Sequence, residues 1–130
     1  MKLKYYATVP NTKQAVNYWS QIFDVTIVKE PGPAMHSYIK LYDQISILLW
    51  PSGSAAAKPG YYVIRFSDKE VETFRKAVFK IQRSNLVDIS INCKNARWGT
   101  TLFEFRDQLG FTWVLEINTS ALGENLKEDF

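Results

Sequence analysis

The stretch that decides the fold is residues 60–81, GYYVIRFSDKEVETFRKAVFKI. It opens with aromatic and β-branched residues, which are typical of a strand. Ser67 and Glu70 follow at the spacing of a capping box, a side-chain arrangement that begins helices. The apolar residues behind the box recur at helical spacing: Val71, Phe74, Ala77, Val78 and Ile81. The stretch therefore predicts a strand that leads directly into an amphipathic helix.

The first half of the chain has the same pattern. Residues 3–9 are rich in Tyr and Val, Asn11 is a good N-cap with Gln14 three residues later, and an apolar stripe follows. With Asn11 placed on Ser67, the two helix starts superpose at a constant offset of 56 residues. This match indicates an internal duplication, with a chance likeness of two helix starts as the alternative.

Three strands are predicted after each helix. In the first half they span residues 24–30, 35–42 and 44–50, with a tight hairpin at Asp43. In the second half they span residues 86–92, 100–106 and 111–117. We therefore expect an α+β fold of two βαβββ modules, which form a curved, trough-like mixed β-sheet with the helices on the outer face.

The chain length of 130 residues suits a single domain. Module one is expected at about 3–50, a linker at 51–59 and module two at about 60–117. The C-terminal tail, residues 118–130, is predicted to be either a loose arm or a short docked helix.

Composition narrows the possible partners. The net charge is +3, but the sixteen Lys and Arg residues form no cluster, so we expect no nucleic-acid partner. No stretch reaches the roughly 18 apolar residues of a membrane span, and the N-terminus lacks a signal-peptide pattern. We therefore expect no membrane contact and a cytoplasmic location. Cys93 is the single cysteine, so it forms no disulfide within the chain, and we interpret it as structural.

Two motifs carry a family resemblance. Residues 15–24, AVNYWSQIFD, look like the A-x-x-F-Y-x-x-x-x-G helix of the glyoxalase/bleomycin-resistance/dioxygenase (vicinal oxygen chelate) superfamily. Trp98-Gly99 followed by residues 105–113, FRDQLGFTW, resembles its W-G…D-P-x-G-x-x-W hairpin. Met35-His36 before an alternating strand resembles the phosphonate-operon glyoxalase-like subgroup. Two positions differ from the family pattern: Asp24 stands where the family has Gly, and Gln108 stands where it has Pro. The hairpin can form with Gln108, because Pro at that position only restricts φ.

The resemblance also implies where a metal would bind. Enzymes of the superfamily hold a divalent ion with His, Gln or Glu on the first, fourth, fifth and eighth strands. The matching positions here fall near Lys4, Leu48, Tyr61 or Tyr62, and Val114, none of which is a usual ligand. We therefore expect no metal and no cofactor, although a carboxylate-only site for Mg²⁺ or Ca²⁺ stays open.

Without a metal, the trough has the aromatic walls and few polar groups of a small-molecule pocket. The candidate ligand-binding residues are Lys4, Tyr6, His36, Trp50, Arg65, Trp98, Phe103, Val114 and Glu116. Lys4 and Arg65 would bind an anion, unless Lys4 pairs with Glu116 or Arg65 with Glu104 or another carboxylate. Trp50 and Trp98 would stack on a planar ligand, or else cover an interface or a loop edge. His36 is a general base or a structural residue, and Trp113 is expected in the core.

These residues favour a glyoxalase-like protein that binds a small anionic or aromatic ligand without a metal, as a homodimer like many of its relatives. The alternatives are a metal-dependent lyase or dioxygenase with atypical ligands, a drug-sequestering resistance-type protein, and a protein-interaction module with no ligand. A trough for a cationic drug would be acidic, which the net charge of +3 opposes.

Overall fold

The computed structural model describes residues 3–29, 36–51 and 60–127, and within them all side chains except those of residues 3, 4 and 124–127. The chain divides into two compact units, Met1–Gly60 and Tyr61–Phe130. Each unit contains one four-stranded mixed sheet. No helix in the described parts of either unit is long and apolar enough to cross a membrane.

The first unit is a βαβββ module. Its elements are β1 (Leu3–Val9), α1 (Thr12–Trp19), β2 (Val25–Lys29), β3 (Ser37–Leu41) and β4 (Ile45–Pro51). The strand order is β1-β4-β3-β2, in which β1 is parallel to β4 and the other neighbours are antiparallel. This is the predicted order of elements, with strand ends that differ by one or two residues.

Two local features of this module, the start of α1 and the turn between β3 and β4, follow from the residues that the sequence places there. The Asn11 side chain accepts a hydrogen bond from the Gln14 backbone N–H at 3.0 Å, so it caps α1. Tyr42 and Asp43 both have positive φ, 52° and 61°, and the Gln44 N–H donates to the Leu41 carbonyl. That geometry is a two-residue type I′ turn, whose twist matches the flanking strands. The hairpin prediction at Asp43 is confirmed.

The second unit repeats the module and adds to it. Its elements are β5 (Tyr61–Arg65), a 3₁₀ turn (Asp68–Glu70), α2 (Val71–Ser84), β6 (Asp88–Asn95), β7 (Thr100–Arg106), β8 (Thr112–Asn118) and α3 (Thr119–Lys127). The strand order is β5-β8-β7-β6, with β5 parallel to β8. In the tail, Leu122 is fully buried within α3, and Gly123 at φ 71° interrupts the helical geometry. The docked-helix alternative therefore holds for this part of the tail.

The capping box of residues 67–70 is present, with the Ser67 N–H donating to Glu70 Oε1 at 2.9 Å. Behind it, the face of α2 predicted to be apolar packs on the sheet, and Phe66 and Phe74 contact edge to face. Tyr62 contacts Trp113 with ring centroids 4.9 Å apart. Trp113 is fully buried, which confirms its place in the core.

The constant offset of 56 residues between the two helix starts does not extend to the strands. Ala7 and Val9 are buried, but Val63 and Arg65, their counterparts at that offset, lie on the less buried side of their sheet. The buried residue Phe66 directly precedes its cap, whereas Pro10 separates Val9 from Asn11. A shift of one residue moves every strand side chain to the opposite face.

Candidate functional site

One face of the first sheet packs against α1 and is buried, whereas most side chains of the opposite face keep some exposure to solvent. The covered face buries alternate residues such as Ala7, Ile39 and Ile47. The open face carries Tyr6, Thr8, Tyr38, Lys40, Ser46 and Leu48, which alternate with the covered set. We call these six residues the first open face.

Strand pairing places the first open face in two rows. Tyr38 lies opposite Leu48, and Leu48 opposite Tyr6. In the neighbouring row, Lys40 lies opposite Ser46, and Ser46 opposite Lys4. Directly opposite residues share a face, so the row of Tyr38, Leu48 and Tyr6 runs beside a row that contains Lys40 and Ser46.

A hollow of about 110 Å³ lies in the first unit, lined by Tyr5, Tyr6, Tyr38, Ser46 and Leu48. Tyr6 is 70% exposed, which is unusual for an aromatic side chain in the middle of a strand. Ser46 is buried at the base of the same region. The hollow therefore combines one exposed and two half-buried tyrosine side chains with the buried hydroxyl of Ser46.

The charge of the first sheet has one sign. Its four strands contain Lys4, Lys29 and Lys40 and no Asp or Glu. Among the described residues, neither Lys29 nor Lys40 forms an ion pair. Lys29 Nζ instead donates a hydrogen bond to His36 Nε2 at 2.9 Å. An anion near these strands would meet positive charge that no carboxylate of the strands offsets.

His36 and Trp50 contact each other at the edge of the sheet. Their ring centroids are 4.9 Å apart, and the indole remains 47% exposed. His36 is thus held between the Lys29 ammonium group and the Trp50 ring. Trp50 lies near the end of β4, and His36 directly precedes β3. The neighbouring segment 30–35, which includes Met35, lies outside the described residues.

In the second sheet, Arg65 is already bound. Its guanidinium forms an ion pair with Glu116 at 2.8 Å and donates to Asn118 Oδ1 at 2.6 Å. Asn118 in turn donates to Asp68 at the start of the 3₁₀ turn. The alternative in which Arg65 pairs with a carboxylate is therefore the one observed, and the carboxylate is that of Glu116.

Glu104 has other partners. Tyr61 Oη donates to Glu104 Oε1 at 3.2 Å, and Ser90 Oγ donates to Oε2 at 2.7 Å. Burial and the hydrogen bond to Glu104 raise the pKa of the Tyr61 phenol above its ordinary value. Tyr61 and Arg65 share one side of β5, whereas Tyr62 is buried on the other.

Two candidate residues are inaccessible, so we correct their assignment. Phe103 is 0% exposed on the buried side of β7, because Leu115 and Phe105, its neighbours there, belong to the core. Val114 is only 4% exposed. Alternation along β7 already places Phe103 with Phe105 on the buried side, between the less buried Leu102 and Glu104. Val114 breaks the alternation of β8, because it is buried between Trp113 and Leu115 although it belongs to the face of Thr112 and Glu116. Trp98, by contrast, is 72% exposed in the turn between β6 and β7.

The residues at the positions where superfamily enzymes hold a metal do not fit a divalent ion. Leu48 and Val114 offer no donor atoms, and the Tyr61 hydroxyl is bound to Glu104. Within the described ranges, no group of three or more His, Cys, Asp or Glu side chains is close enough to hold an ion. The Lys4 side chain lies outside the described residues.

Cys93 lies at a bulge of β6, where the pairing register shifts between Ile91 and Lys94. Its φ is 56°, which is uncommon for a residue with a side chain. Burial raises the pKa of the thiol to about 12. The thiolate, which is the reactive form, is therefore scarce near neutral pH.

Sequence reasoning missed Tyr38, Lys40, Ser46 and Leu48 as members of one surface. Their alternation was visible within each strand, but the order β1-β4-β3-β2 places them beside Tyr6 and Lys4. The signal that could have found them is the register across the hairpin at Asp43, extended to β1 by the parallel pairing.

Two four-stranded mixed sheets, each formed by a βαβββ module, define the class: this is the glyoxalase-type α+β fold, without a closed barrel. Comparison of the sequence with protein-family models and with curated proteins finds no match. Similar proteins are found only by comparison with solved structures.

The crystal structure of TioX from Micromonospora sp. ML1 is similar at a TM-score of 0.71 and 13% identity, over 91% of this chain and 98% of that one. A glyoxalase/bleomycin resistance protein/dioxygenase from Alicyclobacillus acidocaldarius has a TM-score of 0.68 and 10% identity, over 91% of each chain. A member of the same superfamily from Sphaerobacter thermophilus has a TM-score of 0.64 and 14% identity, over 91% of this chain and 97% of that one. At these identities the likeness shows the fold alone.

Proposed function

We propose that this protein binds a small aromatic anion on the first open face. The observation that supports it is the hollow lined by three tyrosines, in a sheet whose strands carry lysine and no carboxylate. Apolar walls with a few convergent polar groups are the usual composition of a small-molecule site. The resemblance of Met35-His36 to the phosphonate-operon subgroup remains a prediction, and the proposed site does not depend on it.

The register suggests how the ligand would lie. Its ring would rest on Leu48 between Tyr6 and Tyr38, because these three residues form one row. Its carboxylate would lie over Ser46, which the pairing places between Lys40 and Lys4. We leave Arg65 out of this site because its guanidinium is bound to Glu116 and Asn118.

The size of the hollow limits the ligand to one ring. An apolar cavity of about 150 Å³ holds a benzene molecule, and this open hollow of about 110 Å³ would leave part of the ring exposed. With about ten non-hydrogen atoms, such a ligand gains on the order of 5 kcal/mol, which corresponds to a dissociation constant of about 0.1–1 mM.

The test is an amide NMR titration with benzoate, benzamide and benzylamine at constant ionic strength. We expect benzoate to shift the amide signals of β1, β3 and β4 and to bind several-fold more tightly than neutral benzamide. Benzylamine should bind most weakly, because the three lysines repel it. Lys40→Gln should weaken benzoate binding and leave benzamide binding unchanged.

Lys76→Gln is the matched control, because Lys76 is an exposed lysine on α2 in the other unit. It changes the net charge equally and should leave benzoate binding unchanged. The proposal fails if benzoate gives no saturable shifts in the first sheet, or if the three ligands bind equally.

The alternatives predict other outcomes. A resistance-type protein that sequesters a cationic drug would prefer benzylamine, and the charge of the first sheet opposes that preference. A metal-dependent lyase or dioxygenase would need donor atoms that Leu48 and Val114 lack. A pure protein-interaction module would bind none of the three ligands. The homodimer implied by the resemblance and the cytoplasmic location expected from the sequence remain predictions, and the binding proposal depends on neither.

A further inference from the structure

A second hollow, of about 250 Å³, lies at one end of the second sheet. The segment between α2 and β6 forms one wall, and the end of β7 with the turn after it forms the other. The hollow is in the second unit and shares no residue with the first open face. It is mostly polar, and it contains one charged side chain of each sign that forms no ion pair within the part of the chain that the structure describes.

Those two side chains are Asp88 and Arg106. They lie directly opposite each other across the antiparallel pair β6 and β7, a position at which opposite charges normally form a pair. Neither forms an ion pair or a side-chain hydrogen bond with any described residue. Both are exposed and both line the hollow. The hollow therefore offers a free carboxylate and a free guanidinium side by side.

The other carboxylate at this place is fully engaged. Asp107 Oδ1 accepts hydrogen bonds from the backbone N–H groups of Leu109 and Phe111, each at 2.9 Å. Its Oδ2 accepts one from Trp113 Nε1 at 2.8 Å. Asp107 is buried and holds the turn together, so it has little capacity for a ligand. A cationic group in the hollow would have Asp88 as its partner.

The C-terminal end of α2 also favours a cationic group beside Asp88. The helix ends at Ser84, and Asn85 follows in the left-handed conformation at φ 57° beside the hollow. The carbonyl end of a helix carries partial negative charge and stabilises a nearby cation. Leu86 and Val87 are half-buried and add a short apolar wall. The negative side of the hollow is thus formed by Asp88 and the helix end, and the positive side by Arg106.

We propose that this hollow binds a free α-amino acid as its zwitterion. The guanidinium of Arg106 binds the carboxylate, for which its planar donor geometry is suited. Asp88 binds the ammonium group, and a small aliphatic side chain contacts Leu86 and Val87. The volume is just below the roughly 300–1,000 Å³ of pockets for drug-sized ligands, which agrees with a ligand of this size.

The test uses L-valine with the full chain in an amide NMR titration. We expect saturable shifts of the signals of residues 85–88 and 106–108. N-acetylvaline lacks the ammonium charge and valinamide lacks the carboxylate, so each should bind about tenfold more weakly or worse. Arg106→Gln and Asp88→Asn should each weaken valine binding by a similar factor of about ten.

Lys94→Gln is the control, because it removes a charge from the same exposed strand β6 but lies opposite Leu102, away from the hollow. It should leave valine binding unchanged. Both tested residues are exposed, so the spectra of the variants should otherwise match that of the parent protein. The proposal is wrong if valine gives no saturable shift up to about 50 mM, or if the blocked derivatives bind as well as valine. It is also wrong if neither variant weakens binding. Loss or retention of benzoate binding is a separate result, because it concerns the other unit.

Discussion

At the scale of single residues, Cys93 shows how a side chain acquires its chemistry from its surroundings. A lone cysteine in an alternating strand gives no indication of reactivity in the sequence. Burial of the thiol at the bulge of β6 raises its pKa to about 12. Reactive cysteines have the opposite property, a depressed pKa in a positively charged setting.

The first prediction concerns the reaction of Cys93 with iodoacetamide at about pH 8. The folded protein should react on the order of 10³-fold more slowly than the urea-unfolded protein, whose thiol has a pKa of about 8.5. Mass spectrometry of the alkylated fraction against time measures both rates. Equal rates in the two states would contradict the assignment of a buried thiol.

The same shift predicts how stability depends on pH. The folded pKa is about 12, above the unfolded value of about 8.5. The contribution of this thiol is therefore complete below the unfolded pKa, and it declines as the pH rises towards the folded pKa. In urea unfolding experiments across this range, Cys93→Ser should show a smaller alkaline loss of stability than the parent chain.

At the scale of elements, the hairpin between β7 and β8 depends on one buried carboxylate. Asp107 accepts three hydrogen bonds, from two backbone N–H groups of the turn and from the indole of Trp113. The family resemblance placed Asp107 and Trp113 in one motif. In the structure the two side chains are joined by a hydrogen bond from the indole N–H to the carboxylate. Gln108 replaces the family's Pro without loss of the turn, because the carboxylate and not the ring restriction organises it.

Asp107→Ala should therefore lower the free energy of unfolding by about 2–4 kcal/mol, because buried donors lose their acceptor. Urea unfolding followed by circular dichroism measures the change. Asp88→Ala is the matched control, since it removes an exposed carboxylate near the same turn. The control should change the unfolding free energy by about 0.5 kcal/mol or less. A similar effect of the two substitutions would contradict the role given to Asp107.

At the scale of the whole molecule, the expectation of a single domain is open to a direct experiment. Trp19 is fully buried in the first unit and Trp113 in the second. Fluorotryptophan labelling gives each indole its own fluorine NMR signal in one sample. If the two modules fold as one domain, both signals should convert to the unfolded position at the same urea concentration. Separate midpoints would show two domains.

Local patterns were sufficient to predict the elements and their order. The Asn11 cap, the capping box of residues 67–70 and the turn at Asp43 all involve groups within a few residues of each other, so their geometry is encoded locally. The duplication predicted two equal modules, and the structure has two sheets of the same strand order. The offset between the helix starts does not carry over to the strand faces: Val63 and Arg65 lie on the less buried face of their sheet, whereas Ala7 and Val9 lie on the buried face of theirs.

The sequence by itself determined the βαβββ pattern, the buried Trp113 and the absence of usual metal ligands at the positions of the family motif. Only the tertiary structure decided which side chains share a surface. The pairing of Arg65 with Glu116, the row of Tyr38, Leu48 and Tyr6, and the placement of Asp88 opposite Arg106 each join residues from separate strands. The physical reason is that propensity and capping act along the chain, whereas register and burial depend on which strands become neighbours.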